Sequence, residues 1–319
     1  MALERVFIAE PHGFCAGVAR AVKAVEDTLE FFGAPVYVKH EIVHNKHVVS
    51  ALSKKGAITV ETLAEVPEGS VVVFSAHGSP RAHYEEAAAR KIHLIDATCP
   101  LVTKVHLEVV RFIREGYTII YIGHLGHIEG VGVLGEVPGT VIPIVESVAD
   151  VEALELPGTE KMVYLTQTTL SIDETKETIA ALKRKYPQII APPLEDICYA
   201  TTNRQEAVKA LAQKVPVVIV VGSRTSSNSN RLRETAESSG ARAYLVDDAT
   251  EIDETWFSGV SEVGITAGAS APEDRIRGVV EYFQARGAKS ERFMVREEKM
   301  FFAEPVELMK IRRERGTTV

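Results

Sequence analysis

One pattern occurs three times in this chain, and that repetition confines it to folds assembled from three similar units. Cys15, Cys99 and Cys198 each close a strand-like stretch and open a helical one. Twenty-five residues beyond each cysteine stand His40, His124 and Ser223. Each of these directly follows an apolar run of β type: Val36-Tyr37-Val38-Lys39, Ile119-Ile120-Tyr121-Ile122-Gly123, and Val217-Val218-Ile219-Val220-Val221-Gly222. A polar loop comes next in every copy, namely Val43-His44-Asn45, Gly126-His127-Ile128-Glu129 and Ser226-Ser227-Asn228-Ser229-Asn230. Repetition on this scale points to repeated structural units, with one thiol apiece.

The correspondence continues downstream. Helical segments close near Gly56, Gly135 and Gly240, and the short strands 57–60, 141–145 and 243–246 follow, each with an acid after it: Glu61, Glu146 and Asp247. A second apolar strand then ends in Ser75-Ala76-His77-Gly78, Thr166-Gln167-Thr168-Thr169 or Ala267-Gly268-Ala269-Ser270. Amphipathic helices are predicted at about 80–90, 171–185 and 273–286, and the first two lead through a further strand to the next cysteine. Short apolar runs alternating with helices indicate parallel α/β units. Ligands of such sheets collect at the carboxyl ends of the strands, where all three cysteines and all the polar loops fall. The expected domains are 1–97, 98–196 and 197–285, with a C-terminal tail over 286–319.

A chain of 319 residues, 45% of them hydrophobic, can bury three modest cores. Its apolar runs are strand-length, so no membrane span is expected. The N-terminus lacks a signal peptide pattern. Three cysteines without an export signal read as reduced thiols in a cytoplasm rather than as a disulfide framework. A net charge of −8 gives no support to nucleic-acid binding. Lys310, Arg312, Arg313 and Arg315 bunch near the C-terminus, as a solvated tail or a dock for an acidic protein partner.

An isolated cysteine on an apolar face is by default an inert hydrophobe. Here the flanks Phe14-Cys15-Ala16-Gly17, Thr98-Cys99-Pro100 and Ile197-Cys198-Tyr199-Ala200 put each sulfur at a strand-to-helix turn, within reach of backbone N–H donors. Structural zinc sites draw on close Cys-x-x-Cys pairs, which are absent. Single cysteines 84 and 99 residues apart suit an iron–sulfur cluster spanning several loops. Three ligands for a four-iron cluster leave one iron open to substrate.

All ten histidines precede residue 128. His83, His93 and His106 are read as ordinary surface or core histidines. His44, His77 and His127, with Ser226, Ser227, Asn228 and Ser270 at the matching loops of the third copy, describe a ring of donors with Glu129 as its one acid. Such a ring suits a phosphate or diphosphate. Neither a Walker lysine nor a Gly-x-Gly-x-x-Gly fingerprint is present, which disfavours a nucleotide.

These segments, together with Asp96-Ala97-Thr98-Cys99-Pro100, Gly126 to Gly132, Thr166-Gln167-Thr168-Thr169-Leu170-Ser171, Ile197 to Gln205 and Ser226 to Leu232, resemble the 4-hydroxy-3-methylbut-2-enyl diphosphate reductase family over roughly residues 5 to 285. The resemblance implies three similar α/β domains in a pseudo-three-fold cloverleaf around a 4Fe–4S cluster. Cys15, Cys99 and Cys198 would be its ligands, with an open apical iron for the substrate hydroxyl. His44, His77, His127, Thr168, Ser226, Ser227, Asn228 and Ser270 would hold an allylic diphosphate. A ferredoxin or flavodoxin type carrier would supply electrons. Glu129, with Thr168 and His127, is expected to move protons. An acid at a helix start is ordinarily there for the macrodipole; among anion donors it is costly unless it carries protons. Two rivals are an iron–sulfur redox sensor, which needs no diphosphate ring, and a zinc phosphoester hydrolase, which would share the anion pocket.

Overall fold

The computed structural model describes residues 3–156 and 160–316, so the last three residues of the expected tail lie outside the described part. The chain begins with β1 (Arg5–Glu10), α1 (Ala16–Phe32), β2 (Val36–Lys39), α2 (Lys46–Lys54), β3 (Ala57–Val60), β4 (Val71–Phe74), α3 (Arg81–Ala89) and β5 (His93–Asp96). It continues through α4 (Pro100–Arg114), β6 (Thr118–Ile122), α5 (Ile128–Leu134), β7 (Ile144–Val145), α6 (Val148–Ala153), β8 (Met162–Thr166), α7 (Ile172–Lys185) and β9 (Ile189–Ile190). The last stretch is α8 (Tyr199–Ala212), β10 (Val217–Val221), α9 (Ser227–Ser238), β11 (Arg242–Val246), β12 (Glu262–Ala267), α10 (Glu273–Gln284), β13 (Lys289–Met294) and α11 (Val306–Glu314).

Among the described residues three parallel sheets form, with strand orders β3-β2-β4-β5, β7-β6-β8-β9 and β11-β10-β12-β1-β13. The α/β class and the three-fold repeat are therefore as the sequence predicts. One boundary differs. β1 does not join the first sheet; it pairs with β12, Arg5 opposite Glu262. The strand that leads into each cysteine completes the sheet of the preceding repeat, and for Cys15 that repeat is the third. β13 then pairs along β1, Arg5 opposite Lys289, so residues 289–294 are sheet rather than tail.

Parallel strands covered on both faces need apolar side chains on both faces. β10 meets this: Val217, Ile219 and Val221 pack into one core, Val218 and Val220 into another, because alternate residues point to opposite faces. The second sheet has cores of the same kind, around Leu182 and Ile120 on one side and Phe112 and Ile119 on the other. α4 starts where Pro100 sits at its first turn and ends with Arg111 and Arg114, both favoured placements. No helix among the described residues is long and apolar enough to cross a membrane.

The described residues fall into two compact units, one drawn from 3–18, 44–48 and 199–301, the other from 19–43, 49–156, 160–198 and 302–316. The first contains the third sheet and Cys15. The second contains the other two sheets, Cys99 and Cys198.

Candidate active site

Local chemistry repeats as closely as topology. At the end of the first strand of each copy, His40 Nδ1 hydrogen-bonds Glu61 at 2.7 Å, His124 Nδ1 hydrogen-bonds Glu146 at 3.1 Å and Ser223 Oγ donates to Asp247 at 2.7 Å. Each of those acids then offers its own N–H to a carboxylate four residues on, Glu65, Asp150 or Glu251, at 2.9–3.0 Å. The acid that follows each short strand in the sequence is thus the clasp between two strand ends.

The cysteines are fixed by one shared contact. Cys99 donates its N–H to Ala76 O at 3.0 Å, Cys198 to Thr168 O at 3.1 Å and Cys15 to Ala269 O at 3.2 Å. Ala76, Thr168 and Ala269 occupy the same loop after β4, β8 and β12, so every cysteine is fastened to the polar loop of its own sheet. All three are partly exposed. Val18 N–H lies 3.5 Å from Cys15 Sγ, a donor at a helix start that suits a thiolate. Beside it the Tyr199 hydroxyl accepts from Ala16 N–H at 3.1 Å, and burial, with the Cys15 charge adding to it, pushes that phenol up to about 12.

In the unit that holds Cys15, the predicted loop residues gather. Ser226 caps α9, its Oγ accepting from Ser229 N–H at 3.3 Å, and Ser227 is the first residue of that helix. Asn228 Oδ1 accepts from Ala269 N–H at 2.9 Å, while its amide nitrogen faces Thr201 Oγ1 at 3.4 Å. Ser270 Oγ donates to the His44 carbonyl at 3.1 Å and lies 3.5 Å from Ser226 Oγ. Ser226, Asn228 and Ser270 are buried, and His44 is partly exposed. The grouping adjoins the N-terminus of a 12-residue helix, where backbone N–H groups favour an anion.

The other unit assembles the remaining predicted residues. The His77 and His127 rings meet edge to face, 6.3 Å apart. Ser75 Oγ lies 3.2 Å from His77 Nδ1. Gly78 holds φ at +83°, and a Cβ there would lie 2.5 Å from His106 Nε2, so only glycine fits this loop. His127 caps α5 by accepting the Glu129 N–H on Nδ1 at 3.2 Å, which assigns the ring hydrogen to Nε2. Glu129 is 2% exposed. Its Oε1 accepts from Thr168 N–H at 2.7 Å and its Oε2 from Thr168 Oγ1 at 2.8 Å. Burial pushes this carboxyl up to about 7 against the opposing pull of the two Thr168 hydrogen bonds. Thr168 therefore touches Glu129 with two groups and Cys198 with its carbonyl.

Sequence reasoning missed the frame behind these residues. Lys104 Nζ bonds Asp196 at 2.7 Å and the carbonyls of Leu194 and Glu195 at 2.6 and 3.1 Å. Asp196, with a fully buried side chain, also accepts Thr166 N–H at 2.9 Å. One strut thus ties the helix opened by Cys99 to the strand end before Thr168 and to the loop entering Cys198. Burial and the Asp196 charge raise Glu108 to about 7, with Lys104 opposing. The one hint in the sequence was an acid two residues before Cys198. Among the described residues no three His, Cys, Asp or Glu gather to hold a single metal ion. His106 is a core histidine, as expected, buried with its Nδ1 2.7 Å from Glu136 Oε1.

Three parallel sheets, each with a cysteine clasped to its polar loop, define a class of α/β protein with thiol-bearing strand ends. Residues 6–284 match the family described as LytB protein, and the chain belongs to that family. It is 56% identical over 306 residues to the 4-hydroxy-3-methylbut-2-enyl diphosphate reductase of Streptomyces avermitilis, covering 95% of this chain and 90% of the relative. The enzyme of the same name from Streptomyces coelicolor is 55% identical over 317 residues, covering 99% and 94%. The solved structure of the E-1-hydroxy-2-methyl-but-2-enyl-4-diphosphate reductase from Plasmodium falciparum superposes with a TM-score of 0.95 at 38% identity, covering 98% of this chain and 99% of that one.

Proposed function

We propose that this chain reduces (E)-4-hydroxy-3-methylbut-2-enyl diphosphate to isopentenyl and dimethylallyl diphosphates, using two electrons and two protons and releasing the hydroxyl as water. Cys15, Cys99 and Cys198 are the ligands of one 4Fe–4S cluster in this reading, with the chain organised as three α/β domains of one cysteine each, 1–97, 98–196 and 197–285. The donor set supports it: three sulfurs at strand-to-helix turns, partly exposed, each held by the same N–H contact. When bound at these three cysteines, the cluster would supply the electrons for the reduction.

The chain's own residues do the rest. Ser226, Ser227, Asn228, Ser270, His44, His77 and His127 hold the diphosphate as hydrogen-bond donors. Glu129, at a proton affinity near neutral pH, keeps a transferable proton that an ordinary exposed glutamate would have lost. Thr168 relays it, because its hydroxyl lies 2.8 Å from Glu129 Oε2. The single observation that carries the reading is this Thr168 junction, which fastens a buried carboxyl with one end and a cysteine with the other. Electrons arrive from a ferredoxin or flavodoxin type carrier in the cytoplasm.

Anaerobically prepared protein should be brown, with broad absorbance near ~400 nm. With a reduced viologen dye it should convert the allylic diphosphate to the two dehydroxylated products. A colourless zinc protein that releases phosphate instead would refute the reading.

A further inference from the structure

Arg20, in the second turn of α1, reaches three carbonyls on two distant segments. Its Nη1 donates to Thr98 O at 2.9 Å, its Nη2 to Asp96 O at 3.5 Å and its Nε to Ala303 O at 2.7 Å. The first two carbonyls belong to the turn that ends in Cys99. That turn is also braced from within, since Asp96 accepts from Thr98 N–H at 2.9 Å and from Tyr84 Oη at 3.1 Å. Ala303 belongs to the C-terminal segment, which is strapped along α1 by its own cations. Arg312 pairs with Asp27 at 2.7 Å and with Glu304 at 2.9 Å. Arg315 donates to Phe31 O at 2.8 Å, both guanidinia lie over the Phe31 ring, and Leu308 is fully buried. Of the bunched cations near the C-terminus, Arg312 and Arg315 therefore form a clasp, whereas Lys310 and Arg313 are exposed, as expected of solvated charges.

We infer that Arg20 is a positioning residue for the Cys99 thiolate, and that the strap from Phe302 to Gly316 is the other jaw of the same clamp. The inference rests on Cys99 being a cluster ligand. A planar guanidinium can satisfy carbonyls on two segments at once; an ammonium keeps the charge but not the fork. Arg20 is anchored on the carbonyl of the residue before Cys99, and a cation beside a ligating residue also stabilises the more reduced, more negative cluster. Arg20 thus has two separable effects: its fork fixes the turn, and its charge raises the reduction potential.

The test uses the cluster-loaded full chain as parent, Arg20→Lys, Arg20→Gln and Cys99→Ser. Iron release to a ferrous chelator and the midpoint potential from a redox titration are the readouts. Both Arg20 variants should release iron about tenfold faster than the parent. Arg20→Lys should keep a near-parental potential, while Arg20→Gln should move to a more negative one. Iron release within twofold of the parent in both variants, or an unchanged potential in Arg20→Gln, would overturn the inference. If Cys99→Ser retains a full complement of iron, the ligand assignment fails and the inference falls with it. If Cys99→Ser loses iron while the Arg20 variants behave as the parent, only the clamp fails.

Discussion

Replacing Glu129 by Gln should make the protein more stable above neutral pH and far less active. The carboxyl has an ordinary value of 4.5 in the unfolded chain and about 7 in the fold, with burial as the main cause. A group whose folded value is raised contributes stability that is complete below the unfolded value and lost as pH rises through the folded one. One pH unit of difference is worth about 1.4 kcal/mol, so ionised Glu129 costs about 3 kcal/mol at pH 8. Gln stays neutral at every pH. It can still accept the Thr168 N–H on its carbonyl oxygen, and its amide can donate to the rotated Thr168 hydroxyl. Thermal unfolding of the cluster-loaded proteins at pH 5, 6, 7 and 8 should show a small difference at pH 5 that widens in favour of the variant up to pH 8. Turnover should fall by about 10² or more with iron content unchanged. A variant less stable than the parent at pH 8 would mean that the two Thr168 bonds outweigh burial. Near-normal turnover would move proton transfer to His127 or to the diphosphate itself.

Serine at Cys15, Cys99 or Cys198 should each lower iron content and reductase activity severely, and full iron loading in any one variant would remove that cysteine from the ligand set. Alanine at Asn228 or Ser226 should weaken diphosphate binding by about 1.5–3 kcal/mol with little effect on iron, and the parent should turn over the free alcohol very poorly. Lys104→Met leaves Asp196 charged and buried without its cation, so unfolding should become easier by about 3–5 kcal/mol, as read from denaturant titration. A change of under about 1 kcal/mol there would show that the strut does not hold the Cys198 loop.

The three-fold repeat is legible in the amino-acid sequence because its parts are local. Strands declare themselves by apolar runs, helix starts by Cys-Pro and Ser-Ser-Asn, and sites by residues that recur at one offset. Even the strand-end clasps show in the sequence as acids following short strands, although their partners do not. The three cysteines, the donor loops and Glu129 all lie where sheet geometry sends ligands.

What packing decides has no local signature. β1 could have paired in any sheet, and its match with β12 joins residues 257 apart in sequence. The Arg20 clamp draws on Ala303, 283 residues away, and Lys104 finds Asp196 across 92. A lysine or arginine that ends in a buried strut looks in sequence like any surface cation. Glu129 reads in the sequence as a proton carrier among the donors, but nothing local in the sequence shows the burial that raises its proton affinity. That was decided by the fold, which removes water from the carboxylate and leaves Thr168 to replace it.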